Sequence, residues 1–164
     1  MKTKLFAMAI AAMSLFASCD KCKKADCQND ATCEKKVGDC VCTDFYEGTK
    51  CETEVRKNYY GTFKGTASYT IPGYGSQSDD FSMRVESYGG AKTFQMVDPD
   101  DASSKIYCEL TSKTAFKITG DTDPDAAFSG TGTISSSKLT ISGTITMTEQ
   151  GLTLAIPVSI SASK

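Results

Sequence analysis

The residues with the greatest chemical reach in this chain are its eight cysteines, and its most telling absence is histidine. Without an imidazole there is no Ser-His-Asp triad, no Cys-His pair and no imidazole-bound zinc. A reactive thiolate needs a cationic or imidazole neighbour to lower its pKa, so thiol catalysis has little to build on. Cysteines crowd at positions 19, 22, 27, 33, 40, 42 and 51, and Cys108 stands apart. Cys19-Asp20-Lys21-Cys22 has the two-residue gap of a metal knuckle, but no second knuckle follows at zinc-finger spacing. In an exported chain, an even set of closely spaced cysteines reads as a disulfide framework. The six from Cys22 to Cys51 permit many pairings, and spacing alone does not choose among them.

Carboxylates come next. Asp98, Asp100 and Asp101 form one acidic loop, and Asp121, Asp123 and Asp125 a second. The second has the alternate spacing that opens a calcium loop. Ala126 stands where that loop needs glycine, Gly132 where it needs a closing glutamate, and Pro124 interrupts it. Both sets read as solvated turn acids. Glycoside hydrolysis by paired carboxylates needs one raised and one depressed pKa, which nothing here arranges. Tyr69, Tyr74 and Tyr88 lie near turns and offer rings that stack on a sugar or peptide, though rim packing is the plainer reading. Cys108 alternates with Ile106 and Leu110 and reads as a small buried hydrophobe. The expectation is a protein that is not an enzyme, with no catalytic residue, metal or cofactor and an unknown ligand.

The 164 residues carry 18 Lys+Arg against 20 Asp+Glu, a formal net charge of −2. Such a chain makes a poor nucleic-acid binder, because a phosphate backbone demands a dense cationic face. Lys2 and Lys4 precede an apolar run from Leu5 to Phe16, then Ala17 and Ser18 lead into Cys19. A spanning helix needs about 20 apolar residues, so this run fits an export signal better than an anchor. Leu15-Phe16-Ala17-Ser18-Cys19 resembles a bacterial lipobox. The resemblance implies cleavage before Cys19 and diacylation of its thiol, with palmitate-type chains holding the protein on a membrane. Loss of residues 1–18 removes Lys2 and Lys4 and leaves a more acidic chain. Attachment to an anionic surface then rests on lipid rather than on charge.

From Cys22 the spacing is C-x4-C-x5-C-x6-C-x-C-x8-C. Asn29-Asp30-Ala31-Thr32-Cys33 and the tail Cys40-Val41-Cys42-Thr43-Asp44-Phe45-Tyr46-Glu47-Gly48-Thr49-Lys50-Cys51 resemble an EGF-like domain. That resemblance implies the bridges Cys22–Cys33, Cys27–Cys40 and Cys42–Cys51. Gly48 is expected in a turn with positive φ. Lys35 and Lys36 occupy the loop where calcium-binding members carry ligands, so no calcium is expected. So short a segment cannot fold on apolar burial alone, since chains below about 40 residues usually need staples. Three bridges contribute about 2–4 kcal/mol each. The module is expected to act as a spacer or interaction module.

Beyond a polar linker at 53–58, alternation dominates. Leu152, Leu154, Ile156, Val158 and Ile160 recur at period two, as do Leu139, Ile141, Ile145 and Met147 around Gly143. Residues 148–151 read as the loop between these strands. Further strands are expected at 59–71, 81–88, 92–97, 105–111, 114–119 and 126–134, separated by Pro72-Gly73, Gly89-Gly90, Asp98-Pro99 and Asp123-Pro124. Pro157 suits an edge strand or a bulge. The fold expected is mainly β: a disulfide-stapled module, then an antiparallel barrel or sandwich of about eight strands. Tyr60-Gly61-Thr62-Phe63 and the later Gly-Thr-Ile strands resemble lipocalin-like or sandwich domains of Gram-negative surface lipoproteins.

The organisation expected is a signal peptide at 1–18, a lipidated N-terminus at 19–21, an EGF-like domain at 22–52, a linker at 53–58 and a β domain at 59–164. Its expected place is the cell envelope, on the outer membrane or cell surface, with a non-catalytic binding, adhesion or structural role. The partners expected are the membrane, through the lipid anchor, and an extracellular protein or glycan, but no nucleic acid. The alternative is a lipocalin-like carrier, which needs an interior cavity of some hundreds of Å3 for a small apolar ligand.

Overall fold

The computed structural model describes residues 21–149 and 151–164, so the signal segment and Cys19 lie outside the described residues. The cysteine-rich part opens with a 3-10 turn at Lys21–Lys24 and holds two minimal ladders. In the first, β1 (Thr32–Cys33) pairs with β2 (Cys40–Val41); in the second, β3 (Tyr46–Glu47) pairs with β4 (Thr53–Glu54). Disulfides join Cys22 to Cys33, Cys27 to Cys40 and Cys42 to Cys51, the same pairs that the EGF resemblance implies. Gly48 has φ +99°, and a Cβ there would sit 2.5 Å from a Glu52 carboxylate oxygen. The positive φ is what favours glycine, since the exposed Glu52 side chain could swing aside.

Eight antiparallel strands then close into a barrel. They are β5 (Gly61–Ile71), β6 (Gly75–Ser87), β7 (Thr93–Val97), β8 (Lys105–Leu110), β9 (Ala115–Asp121), β10 (Ala126–Ile134), β11 (Lys138–Glu149) and β12 (Leu152–Ser163). Neighbours in sequence are neighbours in space, and β12 returns to pair with β5. Closure resolves the choice between barrel and sandwich.

Alternation dictates the inner face. Along β12 each of Ile156, Val158, Ile160 and Ala162 is buried while the residues between are exposed. Phe63, Phe94 and Phe116 fill one end of the barrel, called here the base, at 0%, 0% and 1% exposure. Phe94 and Phe116 meet edge to face with ring centroids 5.3 Å apart, a favoured aromatic geometry. Strands of a small barrel must bend strongly, and glycines on the inner face permit it. At Gly65 a Cβ would lie 2.0 Å from the Ser161 carbonyl oxygen, and at Gly143 it would lie 2.3 Å from that of Ser129.

Several boundaries differ from the sequence expectation. The segment 53–58 is not slack: Thr53–Glu54 is β4, and Val55–Tyr59 is a 3-10 helix with Val55, Arg56 and Tyr59 buried. The Tyr59 hydroxyl donates to the Lys113 carbonyl. Arg56 Nη1 donates to the carbonyls of Tyr88 (2.8 Å) and Thr93, and Nε donates to Glu54 Oε2 at 2.8 Å. A buried guanidinium is tolerated when it is paired and hydrogen-bonded in this way. Consequently β5 starts at Gly61 rather than at Tyr59. Strand β6 starts at Gly75 rather than at Phe81, because Ser76–Asp80 pairs with β5 while exposed, and so shows no alternation. Only residues 150–151 separate β11 from β12, whose Glu149 and Leu152 are paired.

Candidate binding site at the mouth of the barrel

The ladder closes fully only near the base. β12 pairs with β5 from Val158↔Tyr69 to Ser163↔Lys64, whereas Leu152–Pro157 has a partner only in β11. Pro157 sits where the two strands part, and its missing N–H explains the position. β6 joins β7 only from Arg84 onward, leaving Gly75–Met83 paired to β5 alone. β9 and β10 share three pairs, Thr131↔Lys117 to Thr133↔Ala115. Above them the Phe128 N–H donates to Asp121 Oδ2 at 2.7 Å, so a side chain stands where a backbone rung would be. The barrel therefore flares into a mouth opposite the base.

Flaring uncovers part of the inner face. Tyr69, Phe81, Ile106, Ile118, Phe128 and Ile145 pack against the core yet are only half-buried. A cleft of about 150 Å3 lies where β9 and β10 separate, lined by Ile106, Ala126, Phe128 and Ile145, with Lys105, Asp121 and Asp123 at its lip. That volume accepts one apolar side chain or the end of an acyl chain. A polar groove of about 260 Å3 adjoins it between loops 98–104 and 122–125, lined by Asp101, Ser103 and Thr122 among others. The loops are tied together: Thr122 Oγ1 donates to the Ser103 carbonyl at 2.7 Å and accepts from Lys105 N at 2.8 Å.

The acids behave as turn residues. Asp98 Oδ1 accepts from Asp100 N, Asp121 Oδ1 from Asp123 N, and Asp123 Oδ1 from Asp125 N and Ala126 N. The Ser103 hydroxyl and amide hold the Asp101 carboxyl below its usual range. Among the described residues, no three Cys, Asp or Glu side chains gather as a metal site would require. Among the described residues nothing donates to the carboxylates of Asp100 and Asp125, and both remain exposed at the rim.

The three tyrosines are not brought together. Tyr69 and Tyr74 lie at the mouth, Tyr74 at the hairpin tip with 81% of its surface exposed. Tyr69 donates its O–H to Asp79, which raises its pKa. Tyr88 lies at the base, its ring centroid 4.6 Å from that of Tyr107. Cys108 is buried in the core, and burial pushes its thiol far above the ordinary range, opposite to what a nucleophile needs. The mouth itself, with its half-buried Ile106, Phe128 and Ile145, has no motif in the sequence. A hint is that the apolar alternation of β11 and β12 runs longer than that of β7 to β9. Comparison with protein-family models, curated proteins and solved structures found no match to this chain.

Proposed function

We propose that this protein is a cell-envelope lipoprotein, cleaved before Cys19 and held on the outer membrane or cell surface through acyl chains on that cysteine. Its EGF-like module serves as a rigid spacer, and its barrel has a non-catalytic binding or adhesive role towards an extracellular protein or glycan. The observation that carries this reading is the polarity of the molecule. The 3-10 helix that follows the disulfide-bonded module is tied to the base through Arg56 and Tyr59, and Phe45 of the module packs against the core. The open mouth lies at the other end of the barrel. Oxidised bridges in this module suit a compartment outside the reducing cytosol.

The alternative, a lipocalin-like carrier, needs an enclosed central cavity of some hundreds of Å3. The phenylalanine plug of Phe63, Phe94 and Phe116 occupies that space in the lower barrel, which favours binding at the rim. Labelling of producing cells with radioactive palmitate tests the proposal. Incorporation into the protein, lost on Cys19→Ala together with membrane association, is the expected result. A product that stays unlabelled and soluble refutes it.

A further inference from the structure

We infer that the mouth is a docking site for a basic peptide segment that carries apolar side chains, one of which seats in the cleft between β9 and β10. This deepens the binding role proposed above and rests on that reading for its biological setting. Three features of the mouth support it.

First, the cleft is a preformed apolar hole of about 150 Å3, walled by Ile106, Ala126, Phe128 and Ile145. Leaving such surface wet is unfavourable, and a leucine-sized group covers it without requiring the core to move. The filled base rules out deep entry of a larger ligand, because the aromatic rings below the cleft are close-packed.

Second, charge selects the occupant. Asp98, Asp100 and Asp101 lie in one of the two loops that flank the cleft, Asp123 and Asp125 in the other, and Asp121 ends β9 beside them. Asp79 and Asp80 add to them from the outlying part of β6. Against these the mouth offers Lys105. The base is richer in cations, with Lys64, Lys92, Lys113, Lys138 and Lys164 there against Glu86 and Glu109, the latter paired with Lys92. A small net charge therefore hides a separation of charge along the barrel axis. Such a field attracts a cationic partner to the mouth and repels an anionic amphiphile such as a fatty acid.

Third, the rim keeps free backbone edges. From Ala126 to Gly130, directly beside the cleft, β10 is paired with β11 alone, with its Phe128 N–H taken by Asp121. An extended peptide has main-chain partners there as well as a pocket for alternate side chains.

The test uses the purified full chain and three dye-labelled peptides, alternating lysine with leucine, lysine with serine, and glutamate with leucine, read by fluorescence anisotropy. The expected result is saturable binding of the lysine–leucine peptide, weakened by salt. Binding of the lysine–serine peptide should be at least about tenfold weaker, the worth of one well-seated apolar side chain. The glutamate–leucine peptide should not bind. Asp100→Lys with Asp125→Lys, which removes no hydrogen bond of the structure, should lower lysine–leucine affinity at least about tenfold with an unchanged circular dichroism spectrum. Ala126→Phe, which fills the cleft from its rim, should erase the advantage of leucine over serine.

Equal binding of both lysine peptides, binding of the glutamate peptide, or binding of none would overturn the inference. So would indifference to Ala126→Phe in protein shown to be folded. Failure here with palmitate labelling intact leaves the lipoprotein reading standing. Success here without labelling would separate the binding site from the anchor.

Discussion

Closure of the barrel depends on the seam between β5 and β12, and Gly65 is where that seam is tightest. An added Cβ would lie 2.0 Å from the Ser161 oxygen, 2.6 Å from the Ala162 Cα and 2.9 Å from the Ser161 carbon. A comfortable separation is about 3.5 Å. All three obstacles are backbone, so no rotamer change relieves them, and Gly65→Ala must push the strands apart. The seam consists of the pairs from Val158↔Tyr69 to Ser163↔Lys64, with Gly65 opposite Ala162 near its lower end. Overpacking usually costs about 1–3 kcal/mol, and an immovable obstacle puts this variant at the upper end. At roughly 4–8 °C per kcal/mol for a domain of about 100 residues, a cost of about 3 kcal/mol should lower Tm by about 12–24 °C. Thermal unfolding by circular dichroism measures this, and hydrogen exchange should show protection lost first in β5 and β12. Gly120→Ala is the matched control, since nothing lies within 4 Å of its added Cβ. It should be neutral or slightly stabilising through the unfolded state. If Gly65→Ala melts with the wild type and keeps its protection, the close-packed seam is wrong.

Other outcomes follow from the same structure. Arg56→Met should leave the Tyr88 and Thr93 carbonyls without their donor, cost about 2–4 kcal/mol, and make the 53–60 segment sensitive to limited proteolysis. Paired Cys42→Ser and Cys51→Ser changes should destabilise the module by about 2–4 kcal/mol while the barrel retains its strand signal, as read by urea unfolding of each part. Hydrogen bonds from Lys92 and Lys117 hold the Glu109 carboxyl down to about 2. Its folded pKa lies below the unfolded value, so the stability it contributes is present above about pH 4.3 and is lost as pH falls towards 2. Glu109→Gln should flatten the denaturation midpoint over that window. Cys108 should resist a thiol reagent in the folded protein and react once denaturant opens the core.

Much of this architecture is legible in the residues. Leu152 to Ile160 alternate so regularly that a half-buried strand is forced, and β12 continues the pattern to Ala162. The cysteine spacing, through its resemblance to a known module, points to the pairs that the structure contains. Periodicity names a face but not a neighbour, so the return of β12 to β5 is invisible until three dimensions supply it. Arg56 lies in the stretch read as a polar linker, yet the Glu54 carboxylate and the carbonyls of Tyr88, Gly89 and Thr93 take it inside. Ser76–Asp80 is polar on both sides and gives no sign of pairing, although β5 holds it in register. The mouth is hardest of all to foresee. It arises from where ladders stop, at Pro157, Arg84 and Lys117, and only the proline announces itself.

The proposed function requires export, with cleavage and acylation at Cys19 and the three disulfides formed outside the reducing interior. Intact mass spectrometry of the protein isolated from its source cells, without reductant, tests this most directly. The account predicts a chain that starts at an acylated Cys19, carries three disulfides among Cys22 to Cys51, and has one free thiol at Cys108. A product that starts at Met1 with reduced or metal-bound cysteines would contradict it.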